Sequence, residues 1–95
     1  MEKHKIGKEE LFNIRLHLRL TQLEFLKDTL GIKDLRYFIK KYFNPREATD
    51  ADKYISKNLS LCLRRYKILK KKEPDFHNDA VKRVKKHFEK LKMVA

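Results

Sequence analysis

Residues 12 to 20 read Phe12-Asn13-Ile14-Arg15-Leu16-His17-Leu18-Arg19-Leu20, and apolar and polar side chains alternate through the whole stretch. Strict alternation is the period-2 signature of a strand with one buried face. On that reading Phe12, Ile14, Leu16, Leu18 and Leu20 face a core, while Asn13, Arg15, His17 and Arg19 face outward. A helix is the rival reading. Phe12, Leu16, Leu20 and Leu23 also fall at helical spacing, and Leu and Arg are good helix formers. A helix through this stretch would carry Leu on every side, so the alternation favours a strand.

Downstream of it the periodicity changes. Leu23, Leu26 and Leu30 recur at helical spacing with Phe25 among them, which predicts a short helix over 20–30 closed by Gly31, a residue free to take positive φ after a helix. A second helix is expected over 33–43, with Leu35, Phe38, Ile39 and Tyr42 as its apolar stripe and Asn44-Pro45 as its stop. Thr49 with Asp52 three residues on resembles a capping box. Ile55, Leu59, Cys62, Tyr66 and Leu69 then form one stripe to about Lys71. A last helix begins near Pro74 and buries Phe76, Ala80, Val84, Phe88 and Leu91. The expected class is mainly α: one N-terminal strand followed by helices, divided into a polar leader (1–11), a strand-helix-helix unit (12–44) and a basic two-helix extension (45–95).

A lone strand leaves its backbone N–H and C=O groups without partners, and no convincing second strand follows. Pairing the strands of two copies into an antiparallel ribbon solves this, and such a ribbon fits the major groove of DNA. Here residues 12–43 resemble a ribbon-helix-helix domain of the Arc and methionine repressor family. Phe12-Asn13-Ile14-Arg15-Leu16 is similar to the family's strand, Leu23-Glu24-Phe25-Leu26-Lys27 to its first helix, and Gly31-Ile32-Lys33-Asp34-Leu35-Arg36-Tyr37-Phe38-Ile39-Lys40-Lys41 to its turn and second helix. The resemblance implies a homodimeric, sequence-specific transcriptional regulator in which Asn13, Arg15 and His17 read base edges. It also implies that the amides of Ile32, Lys33 and Asp34 hold a phosphate at the start of the second helix.

Charge supports an anionic partner independently. The chain has 95 residues, 25 Lys and Arg, 13 Asp and Glu, and a formal charge of +12. Such a field attracts polyanions, with DNA first, RNA next and an anionic membrane surface after them. Residues 48 to 95 carry 14 basic against 6 acidic residues, so most of the excess lies there. Arg64-Arg65, Lys67 and Lys70-Lys71-Lys72 form one cluster, and Lys82, Arg83, Lys85 and Lys86 another. Arg19, Lys33, Arg36, Lys40, Lys41, Arg64, Arg65, Lys82, Lys85 and Lys86 are the candidate phosphate contacts, positioning the protein without reading sequence.

No enzyme signature is present: no Gly-rich phosphate loop, no HExxH and no paired Cys motif. His4, His17, His77 and His87 are scattered, so neither a metal nor another cofactor is expected. Cys62 lies on an apolar stripe and reads as a buried structural thiol. One cysteine forms no internal disulfide, which suits a reducing cytoplasm, or a host cytoplasm for a viral protein. No membrane span and no small-molecule substrate are expected. Two alternatives remain. One is an all-helical nucleic-acid-binding or assembly protein in which 10–30 form one long helix. The other is a protein-binding module, such as a viral inhibitor or complex subunit, with an acidic target.

Overall fold

A computed structural model describes residues 7–94, and every regular element in that range is an α-helix. The helices are α1 (Lys8–Thr29), α2 (Leu35–Tyr42), α3 (Asp50–Lys57), α4 (Leu59–Lys72) and α5 (Pro74–Val94). Residues 1–6 of the expected leader, with His4, and the Leu91 side chain lie outside the described residues.

The expected strand is replaced by the middle of α1. Helical conformation runs unbroken from Lys8 through the alternating stretch to Thr29, so the described residues hold no strand for a partner copy to pair with. The ribbon-helix-helix resemblance fails on this point. The physical reason lies in the position of α1, which contacts each of the other four helices. One face carries Leu16 and Leu20, which pack with Ile39, Ile55, Leu59, Cys62 and Tyr66, while Phe12 and Leu23 flank them. An adjacent face carries His17 and Phe25, whose rings meet Phe76 and Phe88 of α5 at 4.8 and 4.9 Å. A helix packed on several sides needs apolar residues around most of its circumference, and alternation satisfies that need as well as a strand would.

The ends of the elements follow from local chemistry. Gly31 has φ 76° and closes α1: its amide donates to the Asp28 carbonyl at 3.0 Å, and the Ile32 amide to that of Lys27 at 2.8 Å. This paired pattern satisfies carbonyls that a helix end otherwise leaves bare. Asp34 caps α2, its carboxylate accepting from the Arg36 and Tyr37 amides at 2.9 and 3.4 Å. Thr49 and Asp52 form a reciprocal capping box on α3. Asn58, at φ −124° and ψ 42°, separates α3 from α4. The apolar stripe of Ile55, Leu59, Cys62 and Tyr66 crosses that break and stays buried.

Candidate nucleic-acid interface

In α4 the apolar side chains Leu59, Cys62 and Tyr66 point into the core, with Leu63 at their edge. At 3.6 residues per turn, that orientation turns Arg64, Lys67 and Lys71 outward as one ridge. Arg65 and Lys72 form a second ridge a quarter-turn or more away. All five are exposed. Leu61 and Ile68 lie between the ridges, seven residues apart and 43% and 45% exposed. In α5, Ala80 and Val84 are buried, which turns Lys82, Lys85, Lys86 and Lys90 to the outside, where all are exposed.

The balance of partners decides how these faces look to an approaching anion. Among the described residues, the acid–base contacts on α4 and α5 are Lys70 with Glu24 at 3.3 Å and Arg83 with Asp79 at 3.2 Å. Arg64, Arg65, Lys67, Lys71, Lys72, Lys82, Lys85 and Lys86 have no carboxylate within ion-pair distance among the described residues. Lys71 and Lys72 also answer the negative end of the α4 dipole, a structural role that leaves their ammonium groups in water.

The residues expected to read bases are dispersed. His17 is 2% exposed. Its Nε2 lies 3.0 Å from Nδ1 of His77, and its ring packs on Tyr66 at 4.8 Å. Its Nδ1 is buried and has no hydrogen-bond partner among the described residues. An orphan N–H costs more than an orphan lone pair, so the consistent tautomer has His17 Nε2–H donating to His77. Asn13 is half-buried and Arg15 is exposed. With no ribbon, nothing presents the three together.

Of the expected phosphate contacts, Arg19 is tied to the fold. It donates to Asp52 at 2.6 Å and to Gln22 at 2.7 Å. The amide clamp at the second helix is also closed. The Ile32 amide is spent on Lys27, and the Asp34 carboxylate occupies the first turn of α2, where the phosphate was expected. Lys33, Arg36, Lys40 and Lys41 are exposed. Lys41 donates to the Tyr37 hydroxyl at 3.2 Å, and Arg36 to the Ser60 hydroxyl at 3.1 Å.

Comparison with protein families, with curated proteins and with solved structures finds no match to this chain.

A partly buried polar cluster lies between α1, α4 and α5. Tyr66 donates to Glu24 at 2.6 Å, and Lys70 reaches the same carboxylate at 3.3 Å. Burial and the Glu24 contact push the Tyr66 hydroxyl up. Burial, with His77 and Lys70 nearby, pushes His17 down from its ordinary 6.5 to about 4, against an opposing pull from Glu24. His77 is lowered too, by burial and Lys70. A small cavity of about 30 Å³ lies beside His17 and Cys62, room enough for a water. Among the described residues no three His, Cys, Asp or Glu side chains are grouped as a metal ion requires. No described helix is long and apolar enough to cross a membrane.

The candidate cations of α4 and α5 lie on outward faces, because the apolar stripes of those helices fix their orientation. Lys57 was not among the expected binding residues. Its neighbours Arg36 and Lys40 come from a different helix, and no local pattern announces that meeting.

Proposed function

We propose that this chain is a non-enzymatic, all-helical nucleic-acid-binding protein that holds a phosphate backbone on the outer faces of α4 and α5. The observation that carries this reading is the exposed ridges of α4, Arg64-Lys67-Lys71 and Arg65-Lys72, together with Lys82, Lys85 and Lys86 of α5, with no carboxylate within ion-pair distance among the described residues. Closely spaced cations at a surface repel one another, and a polyanion relieves that repulsion while releasing its counterions. Contacts of this kind position a protein without selecting a sequence, so DNA and RNA are both candidate partners. A second copy was expected in order to pair the backbone of a strand. With a helix in its place, that reason for a homodimer is gone.

The test is fluorescence anisotropy on duplex DNA, single-stranded DNA and RNA across a salt series. Six phosphate contacts predict a loss of about a thousandfold in affinity between about 50 and 200 mM salt. Reversing Arg64, Lys67 and Lys71 to Glu together should weaken binding evenly on all sequences. Affinity indifferent to salt, or unchanged in the triple variant, would sink the reading.

A second reading, a protein-binding module with an acidic target, is favoured by Leu61 and Ile68, exposed between the two cationic ridges. An apolar pair rimmed by Arg64, Arg65 and Lys72 suits an acidic protein surface. Truncating Leu61 and Ile68 to Ala separates the two readings, because phosphate binding does not need them.

A further inference from the structure

The α2 and α3 helices meet the start of α4 around an open groove of about 480 Å³. Arg36 and Lys40 of α2 and Lys57 of α3 line it, together with Ser56, Asn58 and Ser60. No carboxylate of the described residues lines it. Among the described residues, none lies within ion-pair distance of the three cations. Three like charges around one hollow repel one another, and a bound anion offsets that repulsion.

The hydrogen-bonding groups are also suited to an anion. Arg36 donates to the Ser60 hydroxyl at 3.1 Å, which orients the guanidinium and leaves it four further N–H donors. Ser60 accepts in that bond and so retains its own hydrogen for another acceptor. The Asn58 side-chain amide donates to the Tyr54 carbonyl at 3.1 Å, which leaves its second N–H. A planar guanidinium fork matches two oxygens of a phosphate, and lysines add point charge beside it. We infer that the groove between α2, α3 and the start of α4 seats a phosphate group, held by Arg36, Lys40, Lys57 and Ser60. This deepens the nucleic-acid reading, on which it rests for the source of the phosphate: a backbone phosphate of a bound strand. A free phosphate ion carries the same chemistry.

The experiment is nuclear magnetic resonance of the 15N-labelled full chain, following the Asn58 and Ser60 amides and the Arg36 side-chain N–H. The probes are inorganic phosphate and a short oligonucleotide with unphosphorylated ends, each at constant ionic strength. The comparison protein is the double variant Lys40→Gln, Lys57→Gln, whose changes fall on exposed side chains. Saturable shifts at these signals, weakened about tenfold or more in the variant, are the expected result. Shifts with the oligonucleotide alone identify a backbone phosphate as the source, and shifts with both probes show that free phosphate competes for the same seat. Shifts with phosphate but no oligonucleotide binding keep the groove and overturn the nucleic-acid reading. Oligonucleotide binding that leaves these signals still, or shifts equal in the double variant, overturns the groove and spares that reading. Silence with both probes overturns the groove as well.

Discussion

His17 shows how much one residue's surroundings matter. As a member of an alternating stretch it belongs on a wet face; in α1 it is enclosed by Tyr66, Phe76 and His77. The fold therefore holds it neutral, with a folded value of about 4 against an ordinary 6.5. Between those values the unfolded chain binds the proton and the folded chain does not, so stability rises with pH. Acidification through about 6.5 should thus begin to destabilise the protein, by up to roughly 3 kcal/mol near pH 4. His77 is lowered as well and acts in the same direction. Asp52 behaves in the opposite way: burial would raise its carboxyl, but the Arg19 and Thr49 contacts outweigh burial and hold it below 3.8. Its contribution is present above that value and is lost only at lower pH. Urea unfolding measured at intervals from pH 7 to pH 4 checks this. His17→Leu should flatten the slope in that window, and an unchanged slope would show that His17 is already protonated in the folded chain.

At the scale of elements, the caps are the parts most legible in sequence. Thr49 with Asp52, the Asn44-Pro45 stop and Gly31 are local signals, and they act where the sequence places them. The stripes of α4 and α5, and Phe38 and Ile39 of α2, were legible for a related reason, since each of these helices has a buried side and an exposed side, whereas Tyr42, expected on the α2 stripe, is 52% exposed. The stretch 12–20 was not, because its period depends on how many neighbours surround it. Alternation reports two environments along a strand; along α1 it reports contact with four helices, which only the finished fold supplies. The capping box invites a quantitative check. Thr49→Ala should cost about 1 kcal/mol. Asp52→Ala should cost more, roughly 2 kcal/mol, because the same carboxylate also accepts from Arg19 of α1. Equal midpoint shifts in urea for the two variants would mean that the α1–α3 tie contributes nothing.

At the scale of the whole molecule, charge and packing are separated. A buried apolar cluster is built on Leu16 and Leu20 of α1, and the chain's excess of cations is carried mainly by the two helices at its C-terminal end. The α4 and α5 faces of the proposed interface could be read from composition and stripe orientation. The groove could not, because Arg36 and Ser60 are 24 residues apart and meet only after α2 has docked. Surface charge of this kind can change with little effect on the fold, so variants of the outer lysines should keep their helicity while losing their partner.

Cys62 lies 4% exposed within that core cluster, and burial pushes its thiol up, with Arg65 pulling the other way. Only a thiolate attacks a thiol reagent, so alkylation must wait for the core to open. The chain thus contains one natural timer of its own breathing. Modification of Cys62 in native buffer should be far slower than that of an unfolded peptide thiol, and should quicken with urea in step with the opening free energy. An immediate reaction would mean that α4 leaves α1 long before the rest of the protein unfolds.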